Sequence, residues 1–309
     1  MDTARFLDDL IEIPGRLEAL AGTLDRVIDP LGTSGRILVL GMGSSLYAAQ
    51  AVAQEARAVG LAVVAEVASA TLLPPPSTDL LVVAVSATGE SAEVLAAIEP
   101  YQDAFVAVTN RTDSTLAQRA NRVVALEAGT ERSGVACRTF RHTLLVLRAL
   151  LGLPGGADAA RAAAASIAYL LDRREHWLPE VSDLLAGPDG TFLLAPSERL
   201  TSAQQGSLML REVPRRPAFG SETGDWAHVD VYLTKTLDYR ALLFAGSAWD
   251  EQAIDWMRQR GSTLVTVGGG HPYASASLRY PGDTDRVTAM LTEPLVPELL
   301  AQRWLANED

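Results

Sequence analysis

The sequence predicts an α/β protein made of two doubly wound parallel-sheet units in tandem, joined by a helical linker. Three observations predict it. Short charge-poor β-branched runs alternate with Ala-rich stretches over the first 126 residues, residues 141 to 185 then turn helical around one Pro-Gly-Gly break, and a second alternation follows. At 309 residues and 48% hydrophobic composition, the chain is long enough to bury two cores of ordinary size.

The runs RILVL (36–40), LAVVAEV (61–67), LLVVAV (80–85), AFVAVT (104–109) and NRVVAL (121–126) read as strands apolar on both faces. Between them AAQAVAQEARAVG, SAEVLAAIEPY and STLAQRANR are long enough to be crossover helices. RHTLLVLRALLGL and ADAARAAAASIAYLLDRREHWL flank the PGG at 154–156, with DRREH as a solvated face. The second alternation runs through FLLA (192–195), a helix over SAQQGSLMLREV, ALLFAG (241–246), DEQAIDWMRQRG and TLVTVGG (263–269). The expected boundaries are a helical leader 1–30, a first unit 31–155, a linker 156–186 and a second unit 187–309.

Twenty-six basic against 38 acidic residues give a net charge of -12, without the positive face that nucleic acids or anionic membranes demand. Apolar runs fall short of a membrane span, the start MDTARFLDDL does not read as a signal peptide, and the single cysteine, Cys137, excludes an intrachain disulfide. A cytoplasmic protein is expected. The four histidines are scattered, so neither a metal nor any other cofactor is expected, and Cys137 reads as a small buried side chain. Trp177 and Trp304 read as packing anchors.

The stretch VSATGESAEV places Ser86, Thr88 and Ser91 around Gly89 immediately after an apolar strand. A loop leading from a parallel strand into a helix offers unpaired N–H groups, three hydroxyls add donors, and the glycine admits a ligand close to the backbone. The first strand repeats the theme with Gly41, Gly43, Ser44 and Ser45, and two such turns side by side suit an anion at a topological switch point. Helix capping is the plainer use of each serine taken singly. In the second unit Ser247 takes the place of Ser86, but Trp249, Asp250 and Glu251 replace Thr88, Gly89 and Glu90, so only the first unit is equipped for an anion. GMGSSL lacks the third glycine of a dinucleotide fingerprint, Glu66 gives it weak support, and no GKS or GKT follows a glycine-rich loop.

These segments resemble the sugar isomerase (SIS) domain family, typified by the isomerase half of glucosamine-6-phosphate synthase and by related sugar-phosphate deaminases and fructosamine-6-phosphate deglycases. GMGSSLYAA is similar to the family's G-T-S-x-x-A, VSATGESAEVL to S-x-S-G-x-T-x-[DE]-[TV]-L, AGTERSGVACRTF to G-x-E-[RI]-S-V-A-x-T-K-x-F, and AQQGSLMLREV to A-x-E-G-A-L-K-L-K-E-I. The resemblance covers about residues 8 to 300 and implies two flavodoxin-like units. It implies that Ser44, Ser45, Ser86, Thr88 and Ser91 bind the phosphate of a sugar phosphate, with Gly43, Gly89, Glu131 and Ala136 in the substrate pocket. It further implies Glu212 as the base that moves a proton between C1 and C2, and His228 of a neighbouring subunit as the group serving the ring oxygen, hence a homodimer. Without the resemblance, Glu212 reads as a solvated acid and His228, beside Trp226, as a core residue.

The chain departs from the family at several positions. Met209 replaces a lysine, RWLANED lacks the tail lysine that forms a Schiff base in the synthase, and no glutaminase half is expected. Ala87, Cys137, Arg138 and the HVD after His228 also differ. The reading is a phosphosugar isomerase or deaminase acting on an amino- or fructosamine-type hexose 6-phosphate; the alternative is a sugar-phosphate sensor without turnover.

Overall fold

The computed structural model describes residues 2–27, 30–31, 35–102 and 104–307. It forms two compact units, one of Gly15–Ala160 and one of Met1–Pro14 with Arg161–Asp309. The expected boundary at residue 31 is flanked by 28–29 and 32–34, which lie outside the described residues.

The first unit holds α2 (Ile13–Val27, its first two residues falling to the other unit), β1 (Arg36–Gly41), α3 (Gly43–Ala58), β2 (Val63–Val67), β3 (Leu80–Val85), α4 (Ala92–Ala97), β4 (Phe105–Thr109), α5 (Thr115–Arg119), β5 (Arg122–Ala125) and α6 (Arg138–Leu150). Its sheet has the order β2-β1-β3-β4-β5, every pair parallel. The central strands β1, β3 and β4 are almost wholly buried because helices cover both faces, which is why their sequences carry no polar alternation. On one face Leu38, Val82, Ile98, Tyr101 and Phe105 form a continuous cluster.

The second unit holds α1 (Thr3–Ile11) and, after α7 (Gly156–Asp172), which carries the division between the units, α8 (Arg174–Leu185), β6 (Thr191–Ala195), α9 (Leu200–Glu212), β7 (Ala218–Glu222), α10 (Thr223–Trp226), β8 (Arg240–Phe244), α11 (Asp250–Gln259), β9 (Thr263–Val267), β10 (Ala276–Leu278), α12 (Arg286–Thr292) and α13 (Leu295–Ala306). Its order, β7-β6-β8-β9-β10, is that of the first sheet strand for strand, again all parallel. Tyr239 stacks on Phe192 with ring centroids 4.0 Å apart and accepts a 2.7 Å hydrogen bond from Trp226 Nε1. Trp177 and Trp304 are buried, donating to Leu170 O and Ser182 Oγ.

Two strands escaped the sequence pattern. β7 (AFGSE) mixes Gly and polar residues, and β10 is three residues long; both are edge strands, where one side needs no apolar partner. The expected helix over 157–178 breaks at Arg173 into α7 and α8, within the exposed DRREH stretch.

Helix α6 buries Arg138, Arg141, His142 and Arg148 almost completely. His142 Nδ1 lies 2.7 Å from Leu126 O, so the nitrogen donates and Nε2 is left as an unprotonated acceptor with no partner. Burial, joined by the nearby guanidinium groups of Arg138, Arg16 and Arg141, pushes the imidazole down to about 4. The native ring stays neutral where the unfolded one, titrating near pH 6.5, has already charged. Stability therefore falls as pH drops from about 6.5 to about 4, by up to about 1.4 kcal/mol per pH unit from this residue. Urea unfolding of the wild type and His142→Gln across that window is expected to show a shallower decline in the variant; parallel curves would contradict the assignment.

Candidate functional site

In both sheets the chain reverses direction after the first strand, so the loops that follow β1 and β3 leave the same edge on neighbouring strands. The turn after β1 is tight: a Cβ on Gly41 would stand 3.0 Å from Leu46 N, and Gly43 is left-handed at φ 50°. Ser44 and Ser45 fall in the first turn of α3, whose N-cap is Met42; no side chain caps it.

The turn after β3 is stitched from within. Ser86 is buried, its Oγ lies 2.9 Å from Ser91 Oγ, and it accepts from Gly89 N at 3.1 Å. Thr88 Oγ1 is exposed on the loop and accepts from Glu90 N at 3.2 Å. Ser91 occupies the N-cap of α4; its carbonyl accepts from Leu95 N at 3.0 Å, but its side chain makes no bond to the helix. Capping therefore does not explain Ser44, Ser45 or Ser91, and their hydroxyls stay at the carboxyl edge of the sheet. Gly89 has φ 67°, and a Cβ there would come within 2.0 Å of Ser114 Oγ, so no side chain fits.

Beyond these loops a cleft of about 740 Å³ opens along the ends of β3, β4 and β5. Thr88, Glu131 and Ala136 line it, together with Arg16, Asn110, Arg111 and Glu127, which the sequence did not single out. Ser44, Ser45, Gly43, Ser86, Gly89 and Ser91 are not among its lining residues. Asn110 organises the far wall: its amide nitrogen donates to Gly129 O at 2.7 Å and its carbonyl accepts from Ala128 N at 3.0 Å. Glu131 is spent on α6, where Oε1 accepts from Cys137 N, Arg138 N and Thr139 N and Oε2 from Thr139 Oγ1. A carboxylate on a helix N-terminus is stabilised by the unpaired N–H groups and the dipole. Among the lining residues other than glycine, Glu127 has a left-handed backbone, φ 53°, a conformation that costs a non-glycine residue roughly 1 kcal/mol or more. The Asn following the β4 strand was a legible turn signal; the Glu127 conformation was not. Cys137 is buried, as expected.

The second unit answers the same edge differently. Asp250 Oδ2 accepts from Gly246 N at 2.6 Å and Ser247 N at 3.1 Å, so a carboxylate of the chain itself occupies the amides of the turn after β8. Burial pushes this carboxyl upward while the two N–H groups pull it down. Beneath it Arg199, from the turn after β6, pairs with the fully buried Glu293 at 3.1 Å and donates to Ala245 O; Ser202 Oγ donates to Glu293 at 2.6 Å.

Glu212 ends α9 and is exposed. His228 is exposed too, two residues beyond α10, on a turn anchored by the buried Trp226 and by the bond from Ser221 Oγ to Asp230; it is not a core residue. Met209 is fully buried. Among the described residues no cluster suits a metal ion, and no helix is long and apolar enough to cross a membrane.

Each unit is a doubly wound α/β sheet, the first with hydroxyl-bearing turns at its switch point, and residues 31–153 match the model of the SIS domain family. The chain is 25% identical over 215 residues to a glutamine–fructose-6-phosphate aminotransferase (isomerizing) of Sulfolobus acidocaldarius, covering 68% of this chain and 36% of that protein. It spans less than half the length of the curated relatives it matches. The C-terminal domain of glucosamine-fructose-6-phosphate aminotransferase from Francisella tularensis superposes with a TM-score of 0.78 at 14% identity, over 98% of this chain and 95% of that one. Tagatose-6-phosphate ketose/aldose isomerase from Escherichia coli gives 0.75 at 15%, over 100% and 95%. At such identities the structures establish the shared fold.

Gly89→Ala is expected to lower stability by about 1–3 kcal/mol, from the left-handed backbone and the collision with Ser114. Denaturant unfolding of Gly89→Ala beside Gly89→Ala/Ser114→Gly checks this: partial recovery in the double variant is expected, and an undiminished wild-type stability in the single variant would refute it.

Proposed function

We propose that the chain binds a hexose 6-phosphate through Ser44, Ser45, Ser86, Thr88 and Ser91 and interconverts its aldose and ketose forms, with loss or exchange of an amine where C1 or C2 carries one. The observation that carries this reading is the pair of hydroxyl-bearing turns on adjacent β1 and β3, whose serines do not cap the helices they begin. The SIS match over the same residues supports it, as do relatives named for fructose 6-phosphate and a fold neighbour named for a ketose/aldose isomerase.

The proton step falls to Glu212 and His228. A carboxylate removes the proton alpha to the open-chain carbonyl or imine and returns it to the neighbouring carbon, while an imidazole exchanges a proton with the ring oxygen on opening. Both side chains are exposed, which a substrate-facing pair requires. His228 completes the site of a neighbouring subunit in a homodimer. Met209 faces the core and supplies no amine, so the reaction proceeds without a lysine imine at that position.

Titration calorimetry with fructose 6-phosphate and glucosamine 6-phosphate, followed by turnover assays, tests the reading. One ligand per chain is expected, because Asp250 already fills the corresponding turn of the second unit. Glu212→Gln is expected to retain binding and lose about 10²- to 10⁴-fold in turnover. Binding without turnover in the wild type would instead identify a sensor, a reading that the buried Met209 favours; absence of binding would dismiss the phosphate cradle.

A further inference from the structure

The cleft continues past the hydroxyl loops. Strand order sets its length: β4 and β5 lie one and two strand spacings from β3, so its far wall stands about 10 Å from the loop at the end of β3. Two guanidinium groups line this extension of a chain that is otherwise strongly acidic, Arg111 in the turn after β4 and Arg16 from α2.

Arg111 is held close to the phosphate loop without belonging to it. Thr109 Oγ1 accepts from Arg111 N at 3.1 Å, Asn110 N donates to Ala87 O, Thr115 N to Glu90 Oε1 and Leu116 N to Gly89 O, so the two turns move as one piece. Its guanidinium pairs with Asp113 at 3.3 Å, and both side chains are more than half exposed, the kind of pair a better-placed anion displaces. Arg16 lies on the far wall, its guanidinium against Gly129, where any Cβ would stand 2.8 Å from Arg16 Cζ. Of the two carboxylates lining the cleft, Glu131 is consumed by α6, and Glu127 shares the lining with Arg16 and Arg111.

A phosphate at the β1–β3 turns directs the other end of the ligand along the part of the cleft that Arg111 and Arg16 line. We propose that Arg111, assisted by Arg16, determines specificity by binding a carboxylate carried by the sugar phosphate at the end of its chain remote from the phosphate. This rests on the phosphate reading above and adds a class of substrate to it: a sugar phosphate acid or a sugar phosphate conjugated to a carboxylate-bearing amine. Arginine suits the task because its planar fork meets a carboxylate with two parallel hydrogen bonds.

Two open-chain ligands differing only at C1 test it: 6-phosphogluconate, with a carboxylate, and sorbitol 6-phosphate, with a hydroxymethyl group. Their dissociation constants are measured by calorimetry for the wild type, Arg111→Gln, Arg16→Gln and Ser86→Ala. The wild type is expected to prefer 6-phosphogluconate by about tenfold or more, the weight of a charge-assisted pair. Arg111→Gln is expected to abolish most of that preference, Arg16→Gln a smaller part, and Ser86→Ala to weaken both ligands alike with the preference intact. Equal affinities in the wild type overturn the proposal while leaving the phosphate reading in place. So does an Arg111→Gln variant that weakens both ligands equally, since Arg111 would then serve the phosphate. If neither ligand binds the wild type, both readings fall. Circular dichroism of each variant separates lost binding from lost folding.

Discussion

All strands of both sheets run parallel, and that single constraint arranges everything else. Within each sheet it sends every strand's carboxyl end to one edge, returns several of the strands through helices, and so places loops with unpaired N–H groups and helix beginnings along that edge. The reversal of winding beside β1 leaves two of those loops on adjacent strands. Side chains only decide what is done with the opening.

The two units decide differently. In the first, hydroxyls line the turns and the nearby carboxylate, Glu131, is turned onto the start of α6. In the second, Asp250 takes the amides of the turn itself, and an Arg199–Glu293 pair fills the space below. Removing one member of such a buried pair would strand a charge in the interior. The second arrangement is thus self-contained, and its exposed functional candidates, Glu212 and His228, sit elsewhere on the unit.

Much of this was legible in the sequence. β1, β3, β4, β8 and β9 are largely buried, and short runs of aliphatic residues, β-branched in all but β8, identify them; β7 and β10, half-paired at the edges, carry no such signature. The hydroxyl cluster of 86–91 was visible, but whether its serines cap helices or face outward depends on bond directions that only three-dimensional placement supplies. The cleft was less legible: Arg16 and Arg111 are 95 positions apart in the numbering (111 − 16), and only the folded chain brings both to the lining of one cleft. Likewise Asp250 reads as an ordinary helix-start acid until its two short bonds to Gly246 and Ser247 are seen.

The carboxylate of Asp250 has a thermodynamic corollary. A ligand that binds only the native state adds RT ln(1 + [L]/Kd) to the stability of what it binds, so under the proposed function the first unit's resistance to unfolding varies with the concentration of its anion. The second unit carries its anion covalently, at an effective concentration no metabolite pool can alter. On that proposal, two units of one strand order differ in that the stability of one follows supply and that of the other is constant.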